Sequence, residues 1–262
     1  IAGAPDIAVG GFHSQAGWVA FNAVALGTCL AARRVPWLLK HGVVASSPDA
    51  AAPNPTLPYL LPFLAVLAGS MVAQLASGGF EWLYGMRVAL CGAVLCYFIP
   101  KYRAFDWRIG WRAVALGAGA FVVWVGLDAL LGTGSGAGMP AALREAPSTW
   151  GMAWIALRVF GSVATVPLAE ELAFRGFLLR RFDAEDFQSV RWSTVSWIAI
   201  LLSSAAFGIL HGDRWLAGTI AGGIYAVAYV RRGSMGDAVA AHATTNALIA
   251  AEVLIVGHWH LW

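Results

Sequence analysis

About eight long, nearly uncharged runs constrain this chain more than any other feature. They fall at roughly 16–32, 57–78, 83–99, 113–131, 150–167, 192–210, 216–230 and 238–256. Each approaches the ~20 apolar residues that an α-helix needs to cross a hydrocarbon core about 30 Å thick. The runs are continuous and show no two-residue alternation, which excludes a β-barrel. Composition agrees: 59% of the 262 residues are hydrophobic and 12% are charged, against about 25% charged in a soluble domain. The expected fold is all-α, a polytopic transmembrane helical bundle. The net charge of +3 is too small to mark a nucleic-acid partner; the partner implied by the composition is the lipid bilayer.

Charge placement gives an orientation. Arg33, Arg34, Lys40, Lys101, Arg103, Arg108, Arg112, Arg180, Arg181, Arg191, Arg231 and Arg232 occupy every second connection, while the alternate ones hold only Arg144 and Arg214. Basic loops stay in the cytoplasm, so both chain ends are expected outside. Tryptophans near span ends (Trp18, Trp82, Trp107, Trp111, Trp150, Trp192, Trp215) suit interfacial anchoring. The glycine-rich run 132–148 and the proline-rich run 46–58 read as connections. They divide the chain into 1–45, accessory helices at 46–148, and an active core at 149–262. The short run 216–230, with Gly218, Gly222 and Gly223, is suited to close helix packing. Cys29, Cys91 and Cys96 lie in apolar spans without metal-like spacing and read as small buried hydrophobes.

Polar residues in the second half gather in three places. The first is Pro167-Leu168-Ala169-Glu170-Glu171-Leu172-Ala173-Phe174-Arg175. A charge at the centre of a membrane helix costs roughly 2.5–3.5 kcal/mol, so its presence points to function. Glu171 and Arg175 are i and i+4 with the acid first, the favourable order for a helical ion pair. Glu170 points about 100° away and has no local cation, which suits a general base. The run at 150–167 reads as a span; the alternative for 150–182 is a span plus a second, half-buried helix broken at Pro167. The second place is Phe207-Gly208-Ile209-Leu210-His211, at the end of an apolar run. The third is His242-Ala243-Thr244-Thr245-Asn246, with His242 and Asn246 on one helix face. A carboxylate deprotonates water, an imidazole orients it or protonates an amine, and an amide with an imidazole stabilises an oxyanion. The competing reading is a non-catalytic scaffold or transport module whose polar side chains only join helices.

Glu-Glu-x-x-x-Arg, then Phe-x-x-x-His, then His-x-x-x-Asn, in this order over 150–256, resembles the CPBP family. That is the CAAX-protease and bacteriocin-processing group, which includes the Ras-converting CAAX endopeptidases and the Abi proteins. The resemblance implies an intramembrane endopeptidase. Glu170 would activate water with help from His211, His242 and Asn246 would hold the oxyanion, and Glu171 with Arg175 would shape the site beside Phe207. It implies a membrane-embedded or membrane-anchored peptide as substrate and, for a bacterial member, the inner membrane. Family members have been described both as glutamate-type and as metalloproteases. A metal-free site is preferred here because Asn246 accompanies His242. The alternative is a zinc set of Glu170, His211 and His242.

A shorter likeness lies at the start. Gly11-Phe12-His13-Ser14-Gln15-Ala16-Gly17-Trp18 resembles the final histidine motif of exosortases. With a first residue Ile1 rather than Met, it suggests the tail of an upstream exosortase domain in 1–45. Arg87, Asp128 and Arg158 are expected to pair between helices or to snorkel to the interface. Arg158 is also a possible extra cation for the cavity. No role is expected of Glu252, and His258 and His260 read as a polar tail.

Overall fold

The computed structural model describes residues 15–32, 54–77, 80–132 and 138–262. Most of the exosortase-like stretch, His13 included, lies outside these residues. Among them there are nine helices and no strand. In chain order they are α1 (Gln15–Ala32), α2 (Leu57–Ser77), α3 (Tyr84–Tyr102), α4 (Trp111–Leu131) and the short α5 (Ala141–Glu145). They continue with α6 (Ser148–Arg181), α7 (Trp197–Ile209), α8 (Trp215–Val230) and α9 (Met235–Val256).

Four of the described helices, α2, α4, α6 and α9, are long and apolar enough to cross a membrane. The expected count of eight is not reached on that measure. The run at 192–210 forms a 13-residue helix only from Trp197, about 20 Å long at 1.5 Å per residue. A 3-10 turn, Trp192–Thr194, precedes it. α8 has 16 residues, and α3 carries Arg87 and Lys101 within its 19. Large apolar side chains such as Val122, Leu130 and Leu201 stand on the outside, as expected where lipid rather than water surrounds a bundle.

The chain does not break at Pro167. α6 runs unbroken for 34 residues, because two widened π-helical stretches, Gly161–Thr165 and Leu172–Leu178, flank the α-helical turns Val166–Glu171. A proline inside an α-helix loses one hydrogen bond and collides with the carbonyl four residues back. The widened turn just before Pro167 accommodates the proline, and the helix continues through it. Such π segments recur at functional positions in helices.

Packing centres on α6 and α9. Val66 of α2 and Cys91 and Leu95 of α3 cluster with Ala169 and Leu172 of α6. On the opposite side α4 lies along α9 so closely that a Cβ on Gly117 would stand 2.2 Å from the Ala241 carbonyl oxygen. The Thr245 hydroxyl donates to the Gly117 carbonyl at 2.8 Å. α7 and α8 form a tight hairpin, as the glycines of 216–230 suggested. A Cβ on Gly218 would meet the His211 ring at 2.9 Å, so that glycine lets the imidazole lie against α8. The Ser196 hydroxyl caps α7 by accepting from Ala199 N–H, and the Ser234 hydroxyl caps α9 by accepting from Asp237 N–H. Cys91 is buried as expected, but Cys96 is exposed, because it follows the inward Leu95 and is rotated by about 100°. The Cys29 side chain lies outside the described set.

Candidate active site

Four residues of α6, Arg158, Ser162, Val166 and Glu170, line one cavity of about 210 Å³. They are spaced by four. In a regular α-helix each four-residue step drifts about 40° around the axis, which would carry the ends of this row to different faces. The wider turn of Gly161–Thr165 removes part of that drift and keeps the row on one wall. His211 from the end of α7, Tyr225 from α8, and His242 and Asn246 from α9 complete the cavity. All four sequence-predicted principal residues, Glu170, His211, His242 and Asn246, therefore meet around one space. A larger cavity of about 720 Å³ near Lys101, Tyr102 and Arg180 has, among the described residues, no acid or histidine in its wall.

Behind this wall lies the expected pair, Glu171 with Arg175, and both side chains are fully buried. Arg175 Nη1 donates to Glu171 Oε1 at 3.1 Å. Arg175 Nε stands 3.1 Å from Oε2 but is not aimed at it, since both atoms lack a hydrogen-bond partner. That contact is an ion pair without a directed hydrogen bond. Arg175 Nη2 donates to the Gly222 carbonyl of α8 at 2.5 Å. The guanidinium also lies over Phe207 and Tyr225, at 4.9 and 5.5 Å from the ring centroids, a favourable arrangement for a buried cation.

The pair does more than balance charge. Glu171 Oε1 lies 2.9 Å from His242 Nδ1. A carboxylate only accepts, so Nδ1 carries the proton and donates. This fixes the ring and turns Nε2 toward Glu170 Oε2, 3.8 Å away. Tyr225 stacks on the same imidazole at 4.6 Å and 14°. His211 is held in the same manner, with Nδ1 2.9 Å from the Phe207 carbonyl, its ring 4.8 Å from Phe207 and 5.3 Å from Trp124. Asn246 Nδ2 donates to the Ser162 carbonyl at 2.8 Å, which uses one of its two N–H groups and leaves the other.

Three residues of the cavity wall hold buried polar atoms with no partner: Glu170 Oε2, Arg158 Nε and Trp124 Nε1. Buried polar atoms are nearly always paired, and exceptions concentrate where water or a ligand belongs. Sequence reasoning missed Trp124, Tyr225 and Ser162. Tyr225 left one cue, a phenol two residues after Gly222-Gly223 and one turn before Tyr229 in a run of small residues.

Glu170, His211 and His242 carry donor types that suit Zn²⁺. Among the described residues, however, no three His, Cys, Asp or Glu side chains converge as ligands of a metal ion. No step below passes through a metal.

The other expected outliers also have places. Arg87 Nη1 lies 3.3 Å from both Glu81 carboxylate oxygens. Asp128 of α4 accepts from Arg214 Nε at 2.7 Å and faces His260 Nε2 at 2.9 Å. His258 Nδ1 lies 2.9 Å from Glu252 Oε1. The histidine tail is therefore docked on the bundle rather than loose, and Glu252 has a partner. Leu261 and Trp262 reach the cavity wall.

Fold and site together define a multi-pass membrane helical bundle with a buried carboxylate–imidazole–amide cluster around a small cavity. Residues 152–248, which include Glu170, His211, His242 and Asn246, match the family model for type II CAAX prenyl endopeptidase, Rce1-like. That is a protease family, and the match is consistent with a CPBP-family protease. No curated protein and no solved structure shows a significant match to the chain.

Proposed function

We propose that the protein is an intramembrane endopeptidase that hydrolyses a peptide bond of a membrane-embedded or membrane-anchored substrate. Glu170 takes a proton from a water placed between it and His211, and the water oxygen attacks the scissile carbonyl carbon. Negative charge gathers on the carbonyl oxygen, where the free Asn246 N–H and His242 are the donors. With Nδ1–H committed to Glu171, His242 donates from Nε2 only as an imidazolium. Glu171 thus acts through His242 as a positioning residue, and Arg175 holds Glu171. As the C–N bond breaks, Glu170 returns that proton, directly or through His211, to the departing amine, giving one amine and one carboxylic acid that then ionises.

One observation carries this reading: the buried Glu170 oxygen, without a hydrogen-bond partner and 3.8 Å from His242 Nε2, on the wall shared by both imidazoles and the amide. Arg158, His211 and Trp262 stand toward the connections that hold few basic residues, which supports access from the extracytoplasmic side of a bacterial inner membrane. The test is cleavage of membrane-anchored peptides in proteoliposomes, with products identified by mass. Glu170→Gln or His211→Ala is expected to lower the rate at least ~100-fold, the lower end for lost acid–base catalysis, with thermal unfolding unchanged. Wild-type rates in both variants contradict the proposal.

A further inference from the structure

Arg158 is a cation on the cavity wall that makes no ion pair among the described residues. It lies on the same α6 row as Glu170, twelve residues earlier, and lines the same space. Its guanidinium sits 4.7 Å from the Tyr84 ring and 5.7 Å from that of Trp262, and the Tyr84 hydroxyl is within hydrogen-bonding reach. Among the described residues it forms no ion pair, and its Nε is buried without a partner. Glu81, the nearby acid, is bound at both oxygens by Arg87. The inner arginine of this helix, Arg175, has a carboxylate, a backbone carbonyl and ring faces around it. Arg158 has two ring faces and the Tyr84 hydroxyl, and no carboxylate in an ion pair among the described residues. A guanidinium offers five donors in a fork that matches a carboxylate, and ring faces stabilise the cation without consuming that fork.

We infer that Arg158 is a specificity residue that receives a carboxylate of the peptide substrate, so that cleavage falls a few residues from that group. The inference rests on the peptidase reading above. Twelve residues of helix span about 18 Å, equal to about five residues of extended peptide at most. The reach of the Arg158 and Glu170 side chains shortens that interval further. The carboxylate has two sources, the substrate's own C-terminus or an Asp or Glu side chain at that distance.

The test uses membrane-anchored peptides in matched sets: a free C-terminal carboxylate, the same peptide as carboxamide, and the carboxamide with one Asp placed one to five residues beyond the cut bond. Wild-type protein in proteoliposomes is expected to favour a carboxylate-bearing peptide over the plain carboxamide by about 10-fold or more in kcat/KM. In Arg158→Gln that ratio is expected to fall to about one, and Arg158→Lys is expected to restore part of it. Preference for the free C-terminus identifies the first source, and preference for the Asp peptide identifies the second. A wild-type ratio near one, or one that survives Arg158→Gln, overturns the inference while leaving the peptidase reading intact. Binding of the same peptides to Glu170→Gln protein separates the two ideas. Carboxylate-selective binding that depends on Arg158, without cleavage by the wild type, defeats the peptidase reading and the cleavage-position part of the inference, and leaves Arg158 as a carboxylate receptor alone. No selective binding and no selective cleavage defeats the inference outright.

Discussion

The molecule holds two clusters of the same composition, one carboxylate, one arginine and one histidine. The inner cluster joins Glu171 and Arg175 of α6 to His242 of α9. The outer one joins Asp128 of α4 to Arg214 in the α7–α8 connection and His260 in the tail. In the inner cluster the acid and the arginine have no exposure and the histidine has 4%. In the outer cluster the three side chains are exposed by 8%, 21% and 15%. The inner arrangement spends its histidine on the cavity by fixing Nδ1 and presenting Nε2. The outer one spends its histidine on the tail, since Arg214 Nη2 also donates to the His260 carbonyl at 3.0 Å and the next two residues reach the cavity wall. Burial thus separates two uses of one chemistry: orienting a reacting group, and clamping a cover at the membrane surface.

The contrast is sharpest on removing one acid from each cluster. Glu171→Gln leaves Arg175 buried without a counter-charge, which costs about 3–5 kcal/mol; it also frees His242, so stability and cleavage fall together. Thermal unfolding in detergent with a parallel cleavage assay measures both. Equal stability to wild type breaks the comparison. Asp128→Asn removes the charge of a buried acid whose cationic partners are partly exposed, and is expected to cost about 1 kcal/mol. Its clearer mark is faster amide exchange over 258–262. A loss as large as that of Glu171→Gln breaks the distinction from the other side.

The smallest expected effect lies outside both clusters. In the α3–α4 connection, Asp106 accepts from the Arg108 side chain and backbone. These contacts lower its carboxyl from 3.8 to about 2. A carboxyl lowered by folding stabilises the fold above its unfolded pKa, and that stability is lost as pH falls through the folded value. Asp106→Asn should therefore abolish a small drop in unfolding temperature between pH 4 and 2, read from matched melts. An unchanged drop removes Asp106 from the account.

What the sequence disclosed follows the range of each interaction. Glu171 and Arg175 are four apart, as are His242 and Asn246, so helical spacing alone placed each pair on one face. The glycines of α8 announced close packing, and Gly218 and Gly222 provide it. The bond from Glu171 to His242 spans 71 residues, and the outer cluster spans 86 and 132. Nothing local marks such contacts. Pro167 misled for a physical reason: propensity treats proline as a break, whereas widened turns on either side of Val166–Glu171 keep the helix whole. The first of them, Gly161–Thr165, lies between Arg158 and Glu170 and brings the two toward one wall, where regular α-helical turns would leave them about 120° apart.

The central claim is that Glu170 and His211 serve the same water. Groups acting as one unit are strongly non-additive on removal. The decisive measurement is the cleavage rate of the double variant Glu170→Gln/His211→Ala beside the two single variants. The account predicts that the double variant is about as slow as the slower single one. Losses that multiply, with all three proteins folded, would show that the two residues act on separate events.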